Sequence, residues 1–299
     1  MMISGSDRMK LIAMVDSKEM MASLSQADAY LVGIAGFSTN FSGYVTLAEV
    51  EEIISSGLVD GKELFVSLNK NMHDADLEPL KTLLSSLNKL PIAGIFYYDV
   101  ALVQLKQRGL CKHNLIWHQE HMTTNYDTCR FWQNHGVLGA CLSSEITLAE
   151  IEAIRNQVTM PLIVLVFGYI PMFVSKRHLV TNYQKTFSFP VDKTRYTLKK
   201  EGRTYPIVND QLGTQVYSAH ILNGLSEKLV LEQAGIDYGL CNFAFLPSET
   251  WGPILDKFRE VNQANVTTLE SEVDLLCEHN TDKGFFYKET IFRVKKYEK

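Results

Sequence analysis

The chain has 299 residues and a formal net charge of −5, with 46% hydrophobic and 21% charged residues. That composition excludes intrinsic disorder and collagen-like repeats. The acidic balance excludes a generally cationic nucleic-acid binder but leaves room for a local basic patch. The length suits either two domains of ~150 residues or one α/β barrel of roughly 250.

In chain order, short β-rich apolar runs alternate with helical patterns. Strands are expected at 10–16 and 29–38, then a helix opened by Thr46-Leu47-Ala48-Glu49. In this capping box the threonine hydroxyl accepts from the third helical amide and the glutamate reaches back. A strand at 63–69, a helix at 74–87 and strands at 93–99, 114–120 and 138–145 follow. Thr147-Leu148-Ala149-Glu150 repeats the capping device before a strand at 162–168. Helices are expected at 225–234 and 250–262 around a last strand at 237–245. Seven of the eight runs are nearly continuously apolar, as parallel strands buried on both faces require. Eight such strands alternating with helices predict a (β/α)8 TIM-like barrel. A doubly wound open sheet is the rival, but no GxGxxG follows any strand.

The alternation breaks after the seventh strand. Residues 175–206 are polar and aromatic, and 204–217 reads as a hairpin turning at Asn209-Asp210-Gln211-Leu212-Gly213. The expected organisation is a barrel over 1–265 with an insertion at 175–217, then a C-terminal extension over 266–299 that includes a strand at 284–294. Between Ser175 and Tyr205 lie Lys176, Arg177, Lys185, Lys193, Arg195, Lys199, Lys200 and Arg203, opposed only by Asp192 and Glu201. Tyr183, Phe187, Phe189, Tyr196 and Tyr205 are interleaved with them. Cations alternating with rings suit single-stranded RNA. A solvated hairpin with its rings packed inward, or a surface for an acidic peptide, gives the same pattern.

No basic head precedes an apolar run at the N-terminus, so no signal peptide is expected. The longest apolar run, 160–174, is shorter than the ~18 residues of a membrane span and is interrupted by Gly168 and Pro171, so no membrane association is expected. The five cysteines, Cys111, Cys129, Cys141, Cys241 and Cys277, are odd in number and form no CxxC. They argue against a disulfide framework and a structural zinc site, and fit a reducing cytoplasm.

In a barrel the chemistry sits at the C-terminal ends of the strands. That selects Asp16, Ser38, Asn69, Asp99, His118, Gln119, Glu120, Ser144, Glu145, Gly168 and Tyr169. His118-Gln119-Glu120-His121 lacks the HExxH spacing of zinc hydrolases, and in a strand His121 points away from His118, so no metal is expected. No GxSxG elbow and no P-loop occurs.

Several segments together resemble the collagenase-like peptidase family, family U32 of unassigned catalytic type. They are Val66–Lys70 with Asp74–Leu77, Ile95–Asp99, Thr124-Asn125-Tyr126 before Leu142–Thr147, Val166–Pro171 through Ser175–Tyr183, and Gly284–Lys288. The resemblance spans nearly the whole chain and implies a TIM-like barrel. It implies a hydrolase acting on peptides, with Glu145 or His118 activating water or a nucleophile. Asn69, Asp99, Gln119, Asn125, Tyr169, Lys176, Arg177 and His178 would then bind substrate. Several family members hold an iron–sulfur cluster with two signature cysteines and two more downstream. Here the signature positions fall on Pro171 and His178, and no cysteine lies between Cys141 and Cys241. Four thiolates are the usual ligands and proline cannot coordinate iron, so no cofactor is expected. Other relatives resemble factors for hydroxylation of transfer or ribosomal RNA bases. The alternative functions are therefore an RNA-associated accessory protein, or an inactive subunit partnered by a cysteine-bearing relative.

Overall fold

The eight apolar runs close into a ring of parallel strands. The structure is a computed structural model and describes residues 8–119, 121–188 and 195–288. The elements run β1 (Lys10–Val15), α1 (Lys18–Ser23), β2 (Ala29–Gly33), α2 (Leu47–Ser55), β3 (Glu63–Leu68), α3 (Asp74–Leu87), β4 (Gly94–Tyr97) and α4 (Ala101–Gln107). They continue with β5 (Leu115–His118), α5 (Tyr126–Asn134), β6 (Gly139–Cys141), α6 (Leu148–Arg155) and β7 (Leu162–Ser175). After an insertion come α8 (Leu225–Ala234), β11 (Tyr238–Asn242), α9 (Ser248–Glu260), α10 (Val266–Leu276) and β12 (Thr281–Asp282). Strand β11 pairs in parallel with both β1 and β7, which closes β1 to β7 into an eight-stranded barrel and excludes the open sheet.

Alternation along the strands sorts side chains into two layers. Phe65, Phe96, His118 and Tyr238 point inward and meet edge to face, with centroids 5.4 Å apart for Phe65–Phe96, 5.6 Å for Phe96–His118 and 6.2 Å for Phe65–Tyr238. Their chain neighbours Tyr97 and Trp117 point outward, and Trp117 stacks on Trp132 of α5 at 4.2 Å. Both capping boxes form: the Thr46 and Thr147 hydroxyls accept from the amides of Glu49 and Glu150, whose carboxylates return to the threonine N–H groups.

The seventh strand does not stop at Gly168, where the strand was expected to end. It continues to Ser175 because β10 (Gly213–Asn223) pairs antiparallel with it, a partner some fifty residues downstream. The rest of the insertion is α7 (Leu179–Phe187), β8 (Arg195–Lys200) and β9 (Arg203–Asp210), and these strands extend the sheet in the order β7-β10-β9-β8. The expected hairpin is β9–β10, turning between Asp210 and Gly213. Gly213 is required there: its φ is +119°, and a Cβ would lie 2.0 Å from the Ser175 carbonyl oxygen.

At the C-terminus, β12 pairs with β10, and Lys283 bridges Glu227 (2.8 Å) and Glu270. Residues 284–287, expected to begin a strand, form a turn instead, with Tyr287 donating to Glu227 at 2.9 Å. The remainder of that expected strand, 289–294, lies outside the described residues. Among the described residues no helix is long and apolar enough to cross a membrane.

Candidate functional site

The polar residues at the strand ends divide into those that hold the mouth together and those that remain open. Asn69 belongs to the first group. Its Oδ1 accepts from the Thr39 N–H (2.9 Å) and its Nδ2 donates to the Thr39 carbonyl (3.1 Å), which clamps the β2–α2 loop. Asp99 accepts from the N–H groups of Met72 and Ala101, both at 2.9 Å, tying the β3–α3 loop to the start of α4. Asn125 caps α5 by accepting from Thr128 N–H at 2.9 Å. Gln119 donates to the Tyr98 hydroxyl (3.0 Å) and accepts from His121 N–H (3.0 Å).

His118 lies inside the barrel, where burial lowers its pKa to about 4. It is a neutral imidazole at pH 7, and its buried Nδ1 has no hydrogen-bond partner among the described residues. Glu145 is half-exposed, and the histidine beside it is His121, with Oε1 and Nδ1 3.5 Å apart. The Ser143 hydroxyl accepts from the backbone N–H of Glu145 (3.2 Å). It does not take the place of a nucleophile presented to that carboxylate. Glu120 is outside the described residues. Tyr169 sits beside the C-terminal segment, its hydroxyl accepting from Asn280 Nδ2 at 3.4 Å, and burial raises its pKa. Lys176, Arg177 and His178 form the exposed connection from β7 to α7. The strand-end set is thus spread over the mouth: His118 faces inward, Glu145 pairs with His121 at the rim, and His178 and its basic neighbours stand on the insertion.

The insertion also roofs part of the mouth through residues that the strand-end rule does not select. Gln215 of β10 accepts from Asn40 N–H (2.8 Å) and from the Tyr217 hydroxyl (3.1 Å), and its Nε2 donates to the Tyr44 hydroxyl (3.3 Å). Burial, then the nearby Asp210 charge, pushes the Tyr44 phenol above its ordinary value. Arg195 of β8 donates to the Ser42 carbonyl (2.8 Å), and the Ser42 hydroxyl donates to Asp16 (2.6 Å). The Arg195 guanidinium lies 5.6 Å from the centroid of the Phe245 ring, which also meets Tyr217 (4.8 Å) and Tyr169 (5.8 Å) edge to face. Phe245 holds a left-handed backbone, φ +69°, a conformation that costs a non-glycine residue on the order of 1 kcal/mol or more.

The donor set does not fit an iron–sulfur cluster. Cys111, Cys129, Cys141, Cys241 and Cys277 occupy five separate elements or loops, and all are buried. Burial pushes the Cys129 thiol up to about 11, and Cys241 and Cys277 up to about 12, the opposite of what a thiolate ligand needs. Among the described residues no three His, Cys, Asp or Glu side chains gather as a metal site.

Comparison with known proteins places this geometry in a lineage. The model for "Peptidase family U32" matches residues 17–238. The tRNA hydroxylation protein P2 of Bacillus subtilis (strain 168) is 24% identical over 286 residues, covering 89% of this chain and 93% of that protein. The tRNA hydroxylation protein P of Escherichia coli (strain K12) is 30% identical over 124 residues, 41% of this chain but only 27% of that protein. The solved structure of the U32 peptidase Mk0906 aligns with a TM-score of 0.47 at 13% identity, over 64% of this chain and 83% of that one. With three-quarters of its length matched by the family model, the chain belongs to peptidase family U32.

Proposed function

We propose that this barrel is an RNA-associated factor in tRNA base hydroxylation, and that it binds RNA instead of hydrolysing peptide bonds. The observation that carries the reading is the near full-length similarity to a tRNA hydroxylation protein. The charge distribution supports it: Lys176, Arg177, Lys185, Arg195, Lys199, Lys200 and Arg203 are all exposed on the insertion of an otherwise acidic chain. Such cations take phosphates and release counterions. The mouth residues serve position: Asn69, Asp99 and Gln119 fix the loops, and Glu145 with His121 offers the rim a carboxylate–imidazole pair. No redox chemistry is assigned to this chain, because its thiols are buried and scattered. The oxidising step would fall to a cysteine-bearing relative acting as partner subunit.

Filter retention of bulk tRNA by the purified chain tests the reading. Retention is expected, and it should weaken with salt. Neutralising Lys176, Arg177, Lys199 and Lys200 to glutamine should flatten the slope of log K against log [salt] by roughly 3. Gelatin and a peptide library should remain uncut. A chain that retains no tRNA, yet cleaves peptides in a way abolished by Glu145→Gln, would contradict the proposal and restore the peptidase reading.

A further inference from the structure

The insertion sheet has two faces, and strand register sorts its residues between them. Directly opposed residues of an antiparallel pair share a face, and residues two apart along a strand share it too. Val216 opposes Phe173 and Ile207, Thr214 opposes Ser175 and Asn209, Tyr196 opposes Ile207, Leu198 opposes Tyr205, and Lys200 opposes Arg203. Phe173, Tyr196, Leu198, Lys200, Arg203 and Tyr205 therefore lie on one face. Gln215 and Arg195, which bond to the barrel loops, lie on the other. Helix α7 is attached to the first face, since Thr214 accepts from Leu179 N–H (2.8 Å) and Asn209 donates to the Thr181 hydroxyl (2.9 Å).

That outer face carries partly exposed rings. On α7, Tyr183 is 57% and Phe187 59% exposed, their centroids 4.6 Å apart one helical turn from each other. On the sheet, Phe173 is 45% and Leu198 48% exposed. Exposed rings in mutual contact, as Tyr183 and Phe187 are, mark an interaction site. The surrounding charge identifies the occupant: Lys200 and Arg203 share the face, and Lys176 and Arg177 border it, with Glu201 the acidic residue of the β8–β9 turn among the described residues. The core of a protein–protein interface is depleted in lysine, whereas rings interspersed with cations are how unpaired bases and their phosphates are held.

We propose that the outer face of the insertion is a platform for single-stranded RNA, with unpaired loop bases stacking on Phe187 and Tyr183 of α7 and on Phe173 of the sheet while Lys200 and Arg203 take the adjoining phosphates. This rests on the RNA reading above and specifies where the RNA lies and which part of it is recognised. A duplex hides its base faces, so the platform discriminates by strandedness more than by sequence.

The test measures binding of the full-length chain to a labelled single-stranded oligoribonucleotide and to a blunt RNA duplex, across a salt series. The single strand should bind more tightly than the duplex. Phe187→Leu should weaken single-strand binding about tenfold or more, and the ring-retaining Phe187→Trp should not. Lys200→Gln with Arg203→Gln should flatten the single-strand salt slope by about 1.4. Because these side chains are exposed, the variants should keep wild-type circular dichroism and melting. Three outcomes would overturn the platform: equal binding of strand and duplex, unchanged binding by Phe187→Leu, or ring variants that keep RNA but lose a co-purifying protein. Each of these leaves bulk tRNA retention by the wild-type chain intact. Absence of that retention would instead overturn the RNA reading itself.

Discussion

Gly168→Ala should destabilise the barrel by roughly 3–5 kcal/mol, a large part of the 5–15 kcal/mol typical of a folded domain. The residue has φ +114°, and a Cβ built on it would lie 2.0 Å from the carbonyl oxygen of Asn242, a backbone atom that cannot swing away. Two costs add: a left-handed backbone of about 1–3 kcal/mol, and overpacking of about 1–3 kcal/mol. The position is where β7 leaves the barrel to become the insertion ribbon, next to the register shift in its pairing with β11. Gly36→Ala is the matched control, since Gly36 also has positive φ (+79°) but nothing lies within 4 Å of its would-be Cβ. It should cost only about 1 kcal/mol. Urea unfolding of both variants checks this, and equal midpoints for the two would show that the close approach at Gly168 does not exist.

The second large effect is on pH. Inside the barrel His118 is held neutral by burial, with its pKa lowered to about 4 from an ordinary value of 6.5. Above pH 6.5 the imidazole is neutral in both the folded and unfolded states. As pH falls below 6.5 the unfolded chain takes up the proton first, so stability is lost progressively until pH reaches about 4. The loss from this one group approaches about 3 kcal/mol. Replacing it by glutamine removes the titration, so the difference in stability between wild type and His118→Gln should shrink between pH 7 and pH 4.5. A difference that is flat over this window, or an NMR ring titration near 6.5, would show that His118 is solvated. The same burial bears on function. A neutral imidazole whose Nδ1 has no partner among the described residues inside the barrel is not a ready cationic acid.

Much of the barrel is legible in the sequence because parallel strands buried on both faces must be continuous apolar runs, and because capping boxes are local. The ribbon beyond Gly168 is not, since its pairing partner β10 lies far along the chain and no local pattern encodes that register. The site is less legible for a related reason. Asn69, Asp99 and Asn125 are polar strand-end and loop residues, and sequence alone cannot separate a ligand-facing amide from one satisfying a loop or helix N-terminus. The contacts that roof the mouth, Arg195 to Ser42 and Gln215 to Asn40, join residues 153 and 175 positions apart, a distance at which spacing carries no signal. His121 follows His118 by three residues, and only the fold shows that it meets Glu145. The five thiols are different: the family resemblance puts Pro171 and His178 where a cluster would need cysteines, and the burial of the thiols adds a physical argument to it.

The most direct measurement is nucleoside analysis of tRNA from cells with and without this chain, by liquid chromatography and mass spectrometry. If the barrel is a tRNA hydroxylation factor, a hydroxylated nucleoside present in the wild type should fall sharply in its absence and return on re-expression. It should return incompletely when Lys176, Arg177, Lys199 and Lys200 are neutralised. An identical nucleoside profile with and without the chain would contradict that role.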